Sequence, residues 1–331
     1  MRAMVLEKPA PIESAPLAAR DLPEPQPGPG DVLVAVRACG VCHTDLHVVE
    51  GDLRLPRLPV VPGHQIVGVV ERLGAGVERF RVGDRVGLPW LRRTCGSCEH
   101  CRNGRENLCE HAEFNGFHAD GGFAAKTLAP AEFAFRVPDA YPDVQAAPLL
   151  CAGVIGYRAL RLSEVRPGWR LGMWGFGASA HVTIQVAVHR GCEVHVLTRS
   201  EAHRRHALEL GAAWAGGPSD PPPRPLDAAV IFSPAGGQVH DALRALRPGG
   251  TLALAGITMS PIPELEYPLL YGERTVRSVA NSTRRDVEEL LDLAPRIPIR
   301  AEVEEYRLEE ANEVLRRLKE SRIRGAAVLV P

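Results

Sequence analysis

The spacing of hydrophobic residues along the chain changes character near residue 153. Up to about residue 150, short β-branched runs such as 32–36 and 66–70 are separated by stretches rich in Gly and Pro. This pattern predicts short strands joined by irregular loops. Further along the chain, strand-like and helix-like segments alternate, at 170–174, 178–189, 193–198 and 201–210. Such alternation is typical of a doubly wound parallel sheet.

The remaining periodic segments complete this sheet and the C-terminal region. Strands are predicted at 228–232, 251–255 and 275–280, and a helix at 238–246 is ended by Pro248-Gly249-Gly250, which gives a sheet of about six strands. The proline-rich stretch 216–225 predicts a loop, because proline removes amide donors and blocks the preceding turn. Near the C-terminus the pattern predicts helices at 285–293 and 308–320 and a strand at 326–330.

Composition narrows the class of protein. A chain of 331 residues is long enough for two domains that each bury a hydrophobic core. With 45% hydrophobic and 24% charged residues and a formal net charge of -1, nothing favours nucleic acid or an anionic membrane as a partner. No apolar run is long enough to cross a bilayer, and Glu7 and Lys8 interrupt the start of any signal peptide. We therefore expect a cytoplasmic protein with a small-molecule partner.

Four of the eight cysteines lie close together in the sequence. Cys95, Cys98, Cys101 and Cys109 can surround one tetrahedral ion, and four sulfurs with no open position predict a structural zinc. An iron–sulfur cluster needs the same ligands and remains an alternative, as do free or buried cysteines without a metal. A DNA-reading finger is disfavoured, because no basic helix flanks the cluster.

A second set of metal-binding residue types is dispersed along the chain. Cys42, His64 and Cys151 could hold a zinc with three ligands and leave the fourth position to water or a substrate oxygen, which is the arrangement of a catalytic zinc. Spacing alone is weak evidence here, since a lone His or Cys is more often a packed or exposed residue.

A glycine-rich turn lies between a predicted strand and a predicted helix. Gly175-x-Gly177-x-x-Ala180 has the context of a dinucleotide fingerprint, in which amides at the helix start hold a pyrophosphate. The ribose-binding position at the end of the next strand falls on Thr198-Arg199-Ser200, where no Asp or Glu occurs.

The absence of an acidic residue at this position bears on cofactor choice. An acidic side chain there would favour NAD(H) and repel the additional phosphate of NADP(H), whereas the Arg199 guanidinium suits a phosphate. We therefore expect NADP(H) to be preferred over NAD(H), with positive charge added by Arg204 and Arg205. The alternative is that Arg199 is an ordinary solvated arginine.

Taken together, these motifs resemble the zinc-dependent alcohol dehydrogenases of the medium-chain dehydrogenase/reductase superfamily, along essentially the whole chain. The segments that carry the resemblance are 40–47, 62–64, 151–154 and the four clustered cysteines. The resemblance implies an α/β protein with a chaperonin-10-like, β-rich catalytic domain (1–152 and 282–331) and a doubly wound Rossmann domain (153–281). It also implies two zinc ions per chain and hydride transfer between an alcohol carbon and a nicotinamide.

The same resemblance implies roles for individual residues near the catalytic zinc. Thr44 would hydrogen-bond the alcohol at the zinc, and His47 would pass its proton to solvent through the cofactor ribose. Asp45 would orient His64. His43 resembles a residue that touches the cofactor pyrophosphate, and Trp90 resembles the aromatic that narrows the substrate pocket.

This sequence departs from the family pattern at three positions. Gln65 stands where a glutamate usually follows the histidine ligand. Ala180 replaces the third glycine of the fingerprint. Near the C-terminus Ala326 stands where related enzymes often have a pyrophosphate-binding arginine, so that contact is absent or is supplied by Arg324 or Arg284.

Three other functions are weighed against an alcohol dehydrogenase. A zinc-independent quinone or enone reductase of the same superfamily would lack Cys42, His64 and Cys151. A zinc-containing polyol dehydrogenase tends to use a carboxylate as third ligand, where this chain has Cys151. A non-catalytic zinc- or dinucleotide-binding protein of the same fold would fail to oxidise any alcohol. For the alcohol dehydrogenase, with an alcohol or aldehyde as substrate, we expect a homo-oligomer, either a dimer or a tetramer.

Overall fold

In the computed structural model, which describes residues 1–297 and 299–331, the chain forms two units of different architecture. The first unit comprises Met1–Cys151, Asn281–Pro295 and Arg300–Pro331, and the second comprises Ala152–Ala280 and Arg296–Ile299. The first is built mainly of antiparallel strands and the second of a parallel sheet with helices. The fold class predicted from the sequence is confirmed.

Strands and helices are numbered here in chain order. The strands are β1 (Arg2–Leu6), β2 (Leu17–Asp21), β3 (Asp31–Val41), β4 (Gln65–Leu73), β5 (Arg85–Leu88), β6 (Leu91–Arg93), β7 (Glu113–Phe114), β8 (Lys126–Pro130), β9 (Phe135–Arg136), β10 (Arg170–Trp174), β11 (Glu193–Leu197), β12 (Trp214–Gly216), β13 (Leu226–Ile231), β14 (Leu246–Leu254), β15 (Thr275–Ser278), β16 (Val303–Arg307) and β17 (Ala326–Val330). The helices are α1 (His43–Glu50), α2 (Glu99–Arg102), α3 (Asp143–Ala146), α4 (Ala152–Leu162), α5 (Ala178–His189), α6 (Glu201–Glu209), α7 (Gln238–Ala245), α8 (Tyr267–Leu270), α9 (Arg284–Leu293) and α10 (Ala311–Lys319).

The first unit is organised around a sheet with the order β16-β17-β3-β4-β5-β9, in which β8 also pairs with β3. All of its pairs are antiparallel except β16 with β17. Most apolar residues of β3 and β4 are buried, including consecutive ones such as Leu33 and Val34, and Val34, Ile66 and Val70 belong to the core of this unit. Smaller sheets pair β1 with β2 and β6 with β7.

The pairing of β3 with β4 brings two sequence-distant segments together. Gly40 lies opposite Gln65 in the antiparallel register, so the residue that follows β3 and the residue that precedes β4 lie at the same end of the pair. These two residues are Cys42, after Val41, and His64. Gly40 and Gln65 approach closely, because a Cβ added at Gly40 would lie 3.0 Å from the Gln65 side chain.

The second unit contains a six-stranded sheet with the order β12-β11-β10-β13-β14-β15. Every pair is parallel. Relative to their order in the chain, the strands follow the 3-2-1-4-5-6 arrangement of dinucleotide-binding folds. The strand order reverses between β10 and β13, and a ligand crevice is expected outside the carboxyl ends of the strands at such a point. The turn 175–177 directly follows β10.

The structure differs from the sequence-based prediction in the second unit at two strands. β12 was not predicted, because three residues are too few to show a period, and it forms by pairing with β11 at the edge of the sheet. The predicted strand at 251–255 begins at Leu246 instead, and the predicted helix stops at Ala245. Pro248-Gly249-Gly250 therefore lies within β14, where the pairing with β13 shifts register between Leu226 and Ala228. The loop predicted for the proline-rich stretch is present at residues 217–225.

In the C-terminal region of the first unit, the predicted helix at 308–320 is divided. A single 3-10 turn at Leu308–Glu310 precedes α10. Among the described residues, no helix is both long and apolar enough to cross a membrane.

Candidate functional site

Helix α1 begins at Cys42 because of a capping box formed by Cys42 and Asp45. The Cys42 sulfur accepts a hydrogen bond from the amide of Thr44 at 3.3 Å, and the Asp45 carboxylate accepts one from the amide of Cys42 at 2.9 Å. A sulfur at a helix N-terminus lies in the positive end of the helix dipole, which favours the thiolate form.

The same Asp45 carboxylate reaches across to the segment before β4. Its Oδ1 accepts hydrogen bonds from His64 Nδ1 at 2.9 Å and from the Gly63 amide at 3.1 Å. Both Asp45 and His64 are buried, with exposed fractions of 1% and 0%. Because the Asp45 carboxylate accepts a hydrogen bond from Nδ1, the ring proton stays on Nδ1. Nε2, on the other side of the ring, then keeps a lone pair that a metal can bind.

Three candidate ligands converge on that side. Cys42 Sγ lies 3.3 Å from His64 Nε2, and these two atoms and Cys151 Sγ all lie within 4.8 Å of one another. The separations fit ligands of a single ion with bonds of about 2.0–2.3 Å. The arrangement fits zinc, because two sulfurs and one imidazole nitrogen are its preferred donors and three protein ligands leave a fourth position for an oxygen.

The charges in this group depend strongly on one another. A hydrogen bond with Cys151 and the charge of His64 hold the pKa of Cys42 well below its usual range, whereas the same hydrogen bond and burial raise the pKa of Cys151. Burial alone would lower the pKa of His64, but Asp45 and Cys42 outweigh it and raise this pKa to about 10. A metal that binds here therefore displaces protons from its ligands.

An aromatic group lies against the His64 ring. Trp90 meets it edge-on at 4.8 Å between ring centroids, stacks on Phe114 at 5.0 Å and contacts Phe117 at 5.9 Å. Pairing of β6 with β7 holds Trp90 beside Phe114. Trp90 was singled out in the sequence, but Phe114 and Phe117 were not, because they belong to no recognisable motif and become neighbours only through this pairing.

The remaining predicted residues of α1 differ in exposure. Thr44 is buried, with 5% of its surface exposed, and His43 is exposed. His47 Nδ1 donates to the carboxylate of Asp52 at 2.7 Å, beyond the left-handed Gly51 that ends the helix. Asp52 was not predicted from the sequence. The sequence does contain a signal for it, because Asp52 is an acidic residue directly after the glycine that ends the helix. Because Nδ1 carries the proton in this hydrogen bond, Nε2 is the ring nitrogen of His47 that can accept a proton or a hydrogen bond.

The four clustered cysteines form a group of their own in the first unit. Their Sγ–Sγ separations are 3.5 Å for Cys98–Cys101 and Cys95–Cys109 and 3.9 Å for Cys95–Cys101. Four sulfurs bound tetrahedrally at about 2.3 Å lie about 3.8 Å apart, and a disulfide would need about 2 Å. The group therefore fits one ion more closely than a multi-iron cluster. Amide hydrogen bonds from Ser97 and Cys98 lower the pKa of Cys95 to about 5.

In the second unit, the predicted nucleotide turn has an open helix N-terminus. Gly175 has a φ of 85°, and Gly177, the residue that caps α5, makes no side-chain cap hydrogen bond. A Cβ added at Gly177 would meet nothing within 4 Å, so another molecule can approach its backbone closely. Ala180 is fully buried. The amides of the first turn of α5 are not capped by a side chain, and the space beside Gly177 is open. This arrangement fits the binding of a pyrophosphate.

The end of β11 offers hydroxyls and one exposed guanidinium. Thr198 is buried, Arg199 is exposed, and Ser200 caps α6 by accepting from the His203 amide at 3.3 Å. Among the described residues, Arg199 makes no side-chain hydrogen bond or ion pair.

The neighbouring arginines are already engaged. Arg204 donates to the carbonyls of Thr198 and Arg199 at 2.9 and 3.0 Å, and Arg205 pairs with Glu201 at 3.1 Å. Of the three arginines in this segment, Arg199 is therefore the one whose guanidinium is available to bind an anion.

Two of the departures from the family pattern concern residues of the first unit. Gln65 is buried beside Gly40, with 2% of its surface exposed. Arg284 pairs with Glu106 at 3.4 Å, and Arg324 pairs with Glu302 at 2.9 Å, so both arginines already have carboxylate partners.

Comparisons with known proteins agree with this arrangement. A family model for the alcohol dehydrogenase GroES-like domain matches residues 28–139, and one for zinc-binding dehydrogenases matches residues 180–296. A probable alcohol dehydrogenase of Mycobacterium tuberculosis, AdhA, is 49% identical over 336 aligned positions, which cover 100% of this chain and 97% of that protein.

Solved structures resemble the whole chain as well. A protein described as CAD from Helicobacter pylori, complexed with NADP(H), matches with a TM-score of 0.88 and 25% identity over 100% of this chain and 99% of its own. An acetophenone reductase from Geotrichum candidum, in complex with NAD, matches with a TM-score of 0.89 and 26% identity over 100% and 97%. The neighbours therefore include proteins that bind either dinucleotide.

The hydrogen bonds of Asp45 generate a prediction about metal affinity. In the variant Asp45→Asn, an amide replaces the carboxylate that holds the proton on His64 Nδ1, so the lone pair is no longer fixed on Nε2. We expect the affinity for zinc to fall by about 10–100-fold. The measurement is a competition titration of zinc against a chelator.

The matched control for this variant is Asp286→Asn. Asp286 is equally buried and forms the capping box of α9 with Thr283, but belongs to neither cysteine group. We expect it to lose stability without losing zinc affinity. Equal zinc affinities in Asp45→Asn and the unchanged protein would show that Asp45 does not orient His64.

Proposed function

Because the chain belongs to the zinc-dependent alcohol dehydrogenases of the medium-chain dehydrogenase/reductase superfamily, we propose that Cys42, His64 and Cys151 hold the zinc at which it interconverts an alcohol with its aldehyde or ketone. The observation that carries this assignment is the convergence of these three ligand atoms within 4.8 Å. The third ligand is a cysteine sulfur, which favours an alcohol dehydrogenase over a polyol dehydrogenase with a carboxylate there.

The residues around this group supply positioning and proton transfer. When bound, zinc polarises the substrate oxygen and lowers the pKa of the alcohol, and the nicotinamide accepts or donates the hydride. The buried Thr44 hydroxyl holds the substrate oxygen by a hydrogen bond. His47 passes the proton on to solvent through the cofactor ribose, and Asp52 orients the His47 ring by accepting a hydrogen bond from Nδ1 at 2.7 Å. Asp45 acts through His64 and Cys42 and does not touch the substrate.

The aromatic wall formed by Trp90, Phe114 and Phe117 is proposed to line the substrate pocket. Trp90 contacts the ring of a zinc ligand, so a substrate oxygen at the metal would place its carbon chain beside the indole. An apolar wall suits the hydrocarbon portion of a primary or secondary alcohol.

A second zinc is proposed at Cys95, Cys98, Cys101 and Cys109, with a structural role. Four sulfurs saturate a tetrahedral ion and leave no position for substrate. The cysteine loop includes only the short α2, a 3-10 turn at Glu106–Leu108 and few buried side chains, so the metal takes the place of a hydrophobic core.

The second unit is proposed to bind the dinucleotide, with the pyrophosphate at the start of α5 and NADP(H) preferred over NAD(H). Gly175, Gly177 and Ala180 shape the turn, and Thr198, Arg199 and Ser200 meet the adenosine ribose. The preference is supported by an exposed, unpaired Arg199 at a position that lacks an acidic residue. His43, exposed at the start of α1, is proposed as a cofactor-binding residue of the first unit, which acts as the catalytic domain.

We further propose that the enzyme is a cytoplasmic homo-oligomer. All eight cysteines are free thiols, and the two groups of them suit metal binding, which favours a reducing compartment. β15 is an edge strand with mostly exposed residues, and the segment before it exposes Ile257, Tyr267 and Tyr271 by 56%, 70% and 70%. An uncovered edge with exposed apolar groups is a natural surface for a second copy.

The two proposed zinc roles predict opposite effects of substitution. Cys42→Ser is expected to lower kcat at least about a thousandfold, a loss of about 4 kcal/mol of transition-state stabilisation, with a modest change in melting temperature. Cys98→Ser is expected to lower the melting temperature by roughly 5–10 °C, which corresponds to about 2–3 kcal/mol in a unit of this size. Elemental analysis, turnover and thermal melting are the measurements.

In elemental analysis, the unchanged protein is expected to contain two zincs per chain and each variant one. One zinc in the unchanged protein, or iron in place of zinc, would contradict the assignment. If Cys98→Ser left melting unchanged while Cys42→Ser unfolded the protein, the two roles would be reversed.

The exposed Arg199 predicts the cofactor preference. We expect kcat/KM for NADP(H) to exceed that for NAD(H) at least about tenfold, and Arg199→Ala to lower only the NADP(H) value, by about 10–100-fold, because a charge-assisted hydrogen bond is worth about 1.5–3 kcal/mol. The control is Arg205→Ala, whose guanidinium already pairs with Glu201. A clear preference for NAD(H) that survives Arg199→Ala would refute the proposal.

The exposed edge of the second unit predicts the assembly state. Sedimentation equilibrium should give a mass that is two or four times the chain mass of 35.9 kDa. Tyr267→Glu should shift the mass toward the single chain, because it introduces charge into the apolar patch. Leu208→Glu, at a residue of α6 that is 50% exposed, should have no effect. A single-chain mass for the unchanged protein would rule out an oligomer.

A further inference from the structure

Three histidines that belong to none of the motifs described above lie together in the second unit. His181 is on α5, and His203 and His206 lie one turn apart on α6. The His181 ring centroid is 4.9 Å from that of His206 and 6.0 Å from that of His203. Phe176 packs edge-on against His181 at 4.5 Å and covers one side of the group.

His181 places a buried, unsatisfied nitrogen in this group. Only 6% of the residue is exposed, and its Nε2 has no hydrogen-bond partner within the described part of the chain. A buried imidazole nitrogen without a partner is unfavourable and uncommon, because it has lost its hydrogen bonds to water. Its polar neighbours are the two other imidazoles, which can share a ligand with it.

The other two histidines are prepared for the same ligand in different ways. His206 Nδ1 donates to the Glu209 carboxylate at 3.1 Å, and this leaves the Nε2 lone pair available, as in carboxylate–histidine–metal arrangements. The backbone of His203 is fixed, since its amide donates to Ser200 Oγ at 3.3 Å. Its exposed ring makes no hydrogen bond or ion pair among the described residues, so it is free to turn.

We propose that His181, His203 and His206 form a third metal site, which binds a divalent transition ion such as Zn²⁺ by three imidazoles. Two imidazoles bound to one ion through bonds of about 2.0–2.1 Å have ring centroids about 5 Å apart, which is the separation of His181 and His206. As placed, the nitrogens of the three rings do not all lie within 4.8 Å of one another, so His203 completes the site only after a rotation of its exposed side chain. Imidazole is a favoured ligand of Zn²⁺, Ni²⁺ and Cu²⁺, and the site contains no sulfur.

Zn²⁺ binding to the zinc-replete enzyme tests this site separately from the two cysteine-containing sites. The protein is first saturated with zinc and desalted, and its zinc content is measured by elemental analysis. Zn²⁺ is then titrated calorimetrically, and the content is measured again after equilibrium dialysis. We expect one additional equivalent with a dissociation constant on the order of micromolar or tighter.

Variants on the exposed helix α6 identify the ligands without disturbing the core. His203→Gln and His206→Gln should each weaken binding of the additional ion at least about tenfold, and Glu209→Gln should weaken it less, because it acts only through His206. His189→Gln is the matched control, since His189 is an exposed histidine of α5 outside the group. It should bind the additional ion as the unchanged enzyme does.

Two outcomes would overturn the proposal. One is the absence of an additional equivalent in the unchanged, zinc-replete enzyme. The other is an additional equivalent that both His203→Gln and His206→Gln retain, which would place the ion elsewhere on the surface. The zinc content before titration tests the two cysteine sites, so failure there is distinguished from failure at the histidines.

Discussion

The arrangement of the first unit depends on the hydrogen bonds of one buried carboxylate. Asp45 accepts from the amide of Cys42, the amide of Gly63 and the ring of His64, so it starts helix α1 and also ties that helix to the segment before β4. A buried carboxylate is tolerated because its lone pairs are used by donors. The pairing of β3 with β4 brings the two segments near each other, and Asp45 then sets the angle at which sulfur and imidazole meet. Packing alone would leave that angle loosely defined.

Helix N-termini are used in two ways in this protein. α1, α6 and α9 each begin with a side chain that accepts an amide hydrogen bond, from Cys42, Ser200 and Thr283 respectively. α5 begins at Gly177 without such a side chain and with open space beside it, and α7 begins in the same way at Gly237. Of the two, the N-terminus of α5 is the one that follows the glycine turn after β10. The contrast has a physical reason. A capped helix satisfies some of its own first-turn amides, whereas an uncapped one leaves them for another acceptor, which can be water or an anion.

Most of the fold could be predicted from the sequence, and so could the cysteine loop and the glycine turn as candidate sites, because each carries a local signal. Cys42, His64 and Cys151 are far apart in the chain, and they were singled out by their residue types and by the family resemblance. Four cysteines within fifteen residues indicate a metal-binding loop. A predicted strand, a glycine-rich turn and a predicted helix in this order indicate a nucleotide-binding turn. What could not be predicted depends on contacts between segments far apart in the chain. β12 exists only through pairing with β11, and Phe114 reaches Trp90 only through the β6–β7 pair. The histidine group likewise depends on ring contacts between residues of α5 and α6.

The two cysteine-containing groups differ in how far along the chain their ligands are spread. One group is contained in residues 95–109, whereas the other runs from Cys42 to Cys151. Closing the longer loop costs roughly 2 kcal/mol more chain entropy, since each doubling of loop length adds about 0.6 kcal/mol. An ion at the compact group would therefore need no pairing of distant segments to bring its ligands together. A metal at the dispersed group would have to wait until β3 and β4 have paired and Cys151 has been synthesised. Because β17, which pairs with β3, is synthesised later still, loading of that site would report the pairing of β3 with β4 before the unit is complete.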